Sequence, residues 1–192
     1  MTLHHTSTQS DVQIRSASPS DAPRIAGLHV ESFLATYDHL PETRRAAGEH
    51  EGEWEAVWSR RLGVASADHT TLVATIGKDL VGFVYVGPSP EAGDDPRRVG
   101  QILSIHVGPA STGRGVGRAL MAEAIRTLQR DGHRTASLWV VDTNTRAKDF
   151  YERLGWQPDG ARNTQRLSID GKTGDEVEIV RYRLPLATED FR

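Results

Sequence analysis

The stretch Thr112-Gly113-Arg114-Gly115-Val116-Gly117-Arg118 sets three glycines and two arginines between an apolar run and a long amphipathic segment. Glycine reaches positive φ at no steric cost, so successive backbone N–H groups can turn to one side. A helix starting there adds its positive end, and Arg114 and Arg118 add formal charge. Such a turn is either a cradle for a phosphate or a tight strand-to-helix connection. No Gly-Lys-Ser/Thr follows, which excludes a P-loop. Gly113, Gly115 and Gly117 come close to dinucleotide spacing, but that motif opens a βαβ unit, and here much secondary structure precedes it.

The chain around the turn reads as alternating elements. Val12–Ser16 alternates apolar and polar residues as a short strand does. Ser18-Pro19-Ser20-Asp21 is a helix start ahead of Ile25, Leu28 and Phe33. Residues 51–62 place Trp54, Val57, Trp58 and Leu62 at helical spacing. Thr70–Ile76 and 80–86 flank Gly77-Lys78-Asp79 as a hairpin. A loop with three prolines occupies 87–97, followed by a strand at 101–107. Val116–Arg130 carries the stripe Val116, Leu120, Ala124 and Leu128, with Gly132 where a C-cap belongs. Thr135–Val141 is nearly all apolar, as a strand buried on both faces is. Residues 144–154 read as a helix ending at Gly155. Residues 164–184 read as a hairpin turning at Asp170-Gly171-Lys172, whose last strand changes phase between Ile179 and Val180. The order is strand, two helices, three strands, helix, strand, helix, two strands: one α/β domain with a mixed sheet.

Composition narrows the function classes. At 192 residues, 37% hydrophobic and 26% charged, the chain suits one globular domain. A net charge of −3 argues against a nucleic-acid binder. No apolar run reaches membrane-spanning length, so no membrane partner is expected. Residues 1–11 lack Lys, Arg and an apolar centre, so they read as a flexible tail rather than a signal peptide, leaving 12–192 as the domain and the cytoplasm as its place. The absence of cysteine removes disulfides, thiol nucleophiles and Cys-based zinc sites, and no metal is expected.

A second motif follows the glycine turn: Asn144-Thr145-Arg146-Ala147-Lys148-Asp149-Phe150-Tyr151-Glu152-Arg153-Leu154-Gly155-Trp156. It resembles the Asn-x-x-Ala-x-x-Phe-Tyr-x-x-x-Gly-Phe helix of the GCN5-related N-acetyltransferase (GNAT) family. The glycine turn resembles that family's Gln/Arg-x-x-Gly-x-Gly/Ala pyrophosphate loop. The element order from 12 to 184 matches as well. The resemblance implies a mixed, mostly antiparallel sheet with a central splayed parallel pair and flanking helices. It implies acetyl-CoA, or another acyl-CoA, as co-substrate. The pyrophosphate would rest on Gly113, Arg114, Gly115, Val116, Gly117 and Arg118, and the pantetheine arm on Ile105, His106 and Val107. Asn144 would bond the cofactor near the splay. Tyr151 takes the position of the acid that protonates the departing thiolate. Dimers are common in such a family, so a homodimer is allowed.

Three positions depart from the family's pattern. Thr112 stands where Gln or Arg begins the loop motif, Trp139 where some peptide acetyltransferases carry a Glu base, and Gln101 where another carboxylate is frequent. The base therefore stays open between His106, Glu31 and a relayed water. Glu31, Phe33, Tyr37 and Trp139 are the candidate acceptor-site residues. The missing peptide-type Glu and the bulky Trp139 favour a small-molecule amine as acceptor. A peptide or protein amine, and a non-catalytic acyl-CoA-binding module, are the alternatives.

Overall fold

In a computed structural model, described for residues 12–49, 51–63, 68–168 and 173–187, seven strands form one sheet. They are β1 (Val12–Ser16), β2 (Thr70–Ile76), β3 (Asp79–Pro88), β4 (Val99–Val107), β5 (Thr135–Val141), β6 (Gln157–Arg166) and β7 (Glu176–Pro185). Their order is β1-β2-β3-β4-β5-β7-β6. Every neighbouring pair is antiparallel except β4 and β5, which run parallel. The mixed sheet with one central parallel pair is the architecture the sequence resemblance implies. The expected tail at 1–11 and the expected turn at 170–172 lie outside the described residues.

The parallel pair is short. It joins Val99–Ile102 of β4 to Thr135–Leu138 of β5 and goes no further. The register of β4 against β3 slips between Tyr85 and Val86, so Leu103 is an extra residue on β4. A bulge of this kind bends its strand and turns the ladder aside. Beyond it, β4 and β5 diverge, and the side of β4 facing β5 has no strand partner.

Five α-helices cover both faces. On one face lie α1 (Ala22–Tyr37), α2 (Pro41–Glu49) and α3 (Glu51–Gly63); on the other lie α4 (Val116–Arg130) and α5 (Thr145–Arg153). The N-terminal region thus holds three helices where two are expected from sequence. The extra one, α2, buries only Thr43, Ala46 and Ala47 among its described side chains, so no large apolar stripe announces it. Pro41 at its start and Glu42 in its first turn are compatible with a helix N-terminus. The expected helix start is present as a 3-10 turn, Pro19–Asp21, that leads into α1: Ser18 and Asp21 form its capping box, and Arg15 clamps Asp21 at 2.7 Å.

The last hairpin begins earlier than expected, at Gln157 rather than near 164. Its sequence QPDGARNTQR hides the strand: the residues are mostly exposed on the sheet edge, and the register slips between Pro158 and Arg162. The phase change in β7 also has a cause. Val180 packs with α4-side residues, whereas Ile179 packs with Phe33, Val141 and Leu167 on the opposite face. Both sheet faces are covered there, so consecutive apolar residues are both buried.

Candidate active site

Where β4 and β5 part, an open cleft of about 1370 Å³ runs through the sheet. Its lining gathers the glycine turn, the free side of β4, the start of α5 and the inner face of α1 and α3.

Gly113 and Gly115 have φ of +79° and +81°, the left-handed region that favours glycine. A Cβ at either would meet no atom within 4 Å, so the turn faces open space. Gly115 is the N-cap of α4 and has no side chain to cap it, which leaves the first-turn N–H groups without that partner. Val116 is buried and anchors the turn, while Gly117 and Arg118 join the lining. Arg114 is exposed and lies off the cleft wall. Backbone donors, a helix N-terminus and open space are what a pyrophosphate needs, so the residues present fit the group. Next to the turn, Ile105, His106 and Val107 line the cleft along the unpaired side of β4. A strand with a free side accepts an extended, amide-bearing ligand as an added strand.

Asn144 sits between the two ends of the site. Its Oδ1 accepts from the Ala147 N–H at 3.1 Å, capping α5, and its Nδ2 donates to Tyr37 Oη at 3.2 Å. The second bond ties the α5 start to α1 across the cleft. Tyr151, two turns further along α5, is buried against Phe150, Trp156 and Tyr182 and still lines the cleft. Burial, then the neighbouring Tyr37, raises its pKa well above the ordinary phenol value, so the proton stays on Oη across the neutral range. The chain reverses at Gly155, φ +88°, where the Trp156 N–H returns to the Tyr151 carbonyl at 3.1 Å. That closure packs the fully buried Trp156 beneath Tyr151.

The opposite wall is aromatic. Phe33 and Tyr37 line it with ring centroids 5.1 Å apart. Trp139 of β5 also lines the cleft, its Nε1 donating to Glu91 Oε1 at 3.0 Å. Glu31, in contrast, is exposed on α1 and the structure does not bring it into the cleft. Gln101 is buried beside Ser89, also away from the lining.

His106 points to this wall. Its Nδ1 lies 2.8 Å from Ser32 Oγ, and its ring is 4.1 Å from that of His29 and stacked on Phe83. Burial brings the His106 pKa down to about 4, and burial with the adjacent His106 also lowers that of His29. Both rings are therefore neutral at pH 7. Ser32 Oγ also stands 3.1 Å from the His29 carbonyl. A hydroxyl has one proton; given to that carbonyl, it leaves His106 Nδ1–H as donor and Nε2 as the basic nitrogen.

Sequence reading missed Ser32, His29, Arg61 and Tyr85, which also line the cleft. Ser32 meets His106 through a contact 74 positions apart in sequence, and His29 through a ring contact similarly remote along the chain. Arg61 left a visible signal: it lies three residues after Trp58 and seven after Trp54, a charge on an apolar face.

The comparisons with known proteins bear on the family and the fold. The model of the acetyltransferase (GNAT) family matches residues 33–156. An uncharacterized N-acetyltransferase from Archaeoglobus fulgidus is 29% identical over 141 residues, 73% of this chain and 89% of the relative. Mycothiol acetyltransferase from Rhodococcus opacus is 28% identical over 137 residues, 71% of this chain and 42% of the relative. A Methanocaldococcus jannaschii N-acetyltransferase, also uncharacterized, is 39% identical over 85 residues; the matched part is 44% of this chain and 38% of that relative. The chain thus spans about two fifths of the length of the Rhodococcus and Methanocaldococcus relatives. The PaiA N-acetyltransferase of Thermoplasma acidophilum, solved with coenzyme A, superposes with a TM-score of 0.68 at 19% identity, covering 88% of this chain and 98% of that one. The yncA protein of Salmonella typhimurium, solved with acetyl-CoA, gives 0.64 at 22% identity, covering 95% and 98%. With the family's match extending from α1 through the glycine turn to the end of α5, the chain belongs to the acetyltransferase (GNAT) family, whose co-substrate is acyl-CoA.

Proposed function

We propose that this protein is an acetyl-CoA-dependent N-acetyltransferase that acetylates the primary amine of a small molecule by direct attack in a ternary complex. The observation that carries the reading is the free side of β4 beyond Ile102, placed in one cleft with the glycine turn and an aromatic wall. The thioester supplies an electrophilic carbonyl and a thiolate leaving group. Gly113, Gly115, Val116, Gly117 and Arg118 hold the pyrophosphate, with Arg114 adding positive charge nearby. Ile105, His106 and Val107 hold the arm along β4, and a backbone N–H of this segment stabilises the oxyanion. Asn144 orients the arm at the splay.

An ordinary alkyl amine, with a pKa near ~10.4, is mostly protonated at neutral pH and must attack in its free form. Attack makes the nitrogen's proton strongly acidic, so neutral His106, though burial leaves it only weakly basic, accepts it through Nε2. Tyr151, kept protonated by burial, donates to the departing sulfur. Phe33, Tyr37 and Trp139 wall the acceptor site, and Glu31 takes no part. No covalent enzyme intermediate and no metal enter this scheme.

Among the described residues no helix is long and apolar enough to cross a membrane, and no cluster of three metal-ligating side chains is found. A cytoplasmic location goes with the proposed reaction, since acyl-CoA thioesters are cytoplasmic metabolites, and light scattering separates a monomer from a homodimer. Calorimetry with acetyl-CoA, CoA and NAD⁺, followed by thiol-release kinetics on an amine panel, tests the proposal. Micromolar acetyl-CoA binding, silent NAD⁺ and turnover of small amines are expected. Binding without turnover across the panel would leave a non-catalytic acyl-CoA-binding module, and turnover of peptides alone would move the acceptor to proteins.

A further inference from the structure

On the walls contributed by α1, α3 and β3, Arg61 is the one Arg or Lys among the described lining residues. It ends a face of α3 that also carries the buried Trp54 and Trp58. Its Cζ stands 4.9 Å from the Trp58 ring centroid and 5.0 Å from that of Tyr85. Two electron-rich rings fix a guanidinium in place without cancelling its charge, and they leave its planar fork of N–H donors for another partner.

Among the described residues no acidic side chain pairs with Arg61. Arg15, Arg126, Arg130, Arg162, Arg181 and Arg183 are each paired with an acidic side chain. Among the described residues no carboxylate approaches Arg61, and the charges felt there are those of Tyr85 and Arg60. Arg61 is exposed at the edge of the cleft, and the rings beside it desolvate its guanidinium only in part, a cost that a bound anion would relieve. The phosphates of the co-substrate are provided for elsewhere: the glycine turn belongs to α4 on the other face of the sheet. A single guanidinium in bidentate geometry matches a carboxylate. It stands on the same wall as His106, linked through Trp58 and His29, whose ring centroids are 5.9 Å apart.

We infer that the acceptor is a small amine that also carries a carboxylate, an amino-acid-like compound with an apolar body, and that Arg61 reads the carboxylate. The inference rests on the acetyltransferase reading above. The rings of Phe33, Tyr37, Trp54, Tyr85 and Trp139 receive the apolar body, and the amine faces His106.

The experiment compares wild type with R61Q and R61K on L-amino acids and the matching L-amino-acid amides, with CoA release as the readout. The quantity of interest is the acid-to-amide ratio of kcat/KM, because the difference in amine basicity cancels between enzyme forms. R61Q should lower that ratio roughly tenfold or more, as expected for losing a charge-assisted hydrogen bond. The loss should appear in KM for the acids more than in KM for the amides, with acetyl-CoA affinity unchanged, and R61K should retain part of the ratio. An unchanged ratio in R61Q overturns the inference. Turnover confined to peptides bearing an acidic side chain also overturns it, placing the carboxylate in a polypeptide.

A second arm does not need turnover. Quenching of tryptophan fluorescence by N-acetyl-L-phenylalanine, against its amide, is measured in the presence of CoA. Quenching by the acid that disappears in R61Q supports the anion site even if no amine is acetylated, an outcome that would sink the catalytic reading alone. Equal quenching in the two proteins removes Arg61 from recognition.

Discussion

Replacing Gly115 by alanine separates the backbone role of the glycine turn from its role as a phosphate cradle. Gly115 has φ +81°, and a Cβ built there meets no atom within 4 Å. No clash arises, so the cost is the left-handed backbone, about 1–2 kcal/mol for a residue other than glycine. For a chain of this size each kcal/mol lowers Tm by about 2–4 °C, which predicts a fall of about 2–8 °C. Gly77, in the β2–β3 turn, provides the control: its φ is +61° and its Cβ position is also open. G77A should lose similar stability and touch nothing in the cleft.

The two variants part when acetyl-CoA is added. A ligand at 100 times its Kd adds about 2.7 kcal/mol to the folded state, so wild type and G77A should gain about 5–10 °C in a thermal-shift assay. In G115A the new methyl stands in the open space before the first turn of α4, where the phosphate oxygens would approach the N–H groups. Acetyl-CoA affinity should fall at least tenfold there, and most of the thermal gain should vanish. A G115A protein that binds acetyl-CoA as well as G77A does would refute the cradle.

Tyr151→Phe should keep acetyl-CoA affinity near wild type and lower kcat in stopped or continuous thiol-release assays; an unchanged kcat removes Tyr151 from the mechanism. His106 makes stability depend on pH: its pKa falls from 6.5 in the unfolded chain to about 4 when folded, so the unfolded state binds more protons between those values. Stability is lost as pH drops through that window, by about 3 kcal/mol for this ring, and urea titrations at pH 4 and 7 should show a smaller pH effect in H106N. Leu120 is fully buried between α4 and the sheet, and L120A should cost about 2–5 kcal/mol in denaturant unfolding. A loss below 1 kcal/mol would mean that this part of the core collapses around the gap.

Much of the site was legible in the chain because its parts are local. The glycine turn, the Asn144 cap and Tyr151 lie on two contiguous motifs, each of which specifies its own backbone: positive φ at Gly113 and Gly115, an N-cap at Asn144, a reversal at Gly155. Helix α4 was readable for the same reason, its stripe of Val116, Leu120, Ala124 and Leu128 being buried as the period requires. Where the local signal is weak, reading failed. Among its described side chains helix α2 buries only two alanines and a threonine, and β6 is an exposed edge strand interrupted by Pro158 and Gly160.

What the sequence by itself determined is therefore the family, the order of most elements and the backbone of the two motifs proposed to hold the cofactor, all carried by residues close together along the chain. Only the tertiary structure decided which of the distant candidates meet. It left Glu31 outside the cleft, put His106 against Ser32 and His29, and set Arg61 between Trp58 and Tyr85. The bulge at Leu103 and the early end of the β4–β5 ladder opened the cleft itself. These are consequences of strand register and of which sheet face each helix covers, and both are settled by packing between segments far apart in the chain.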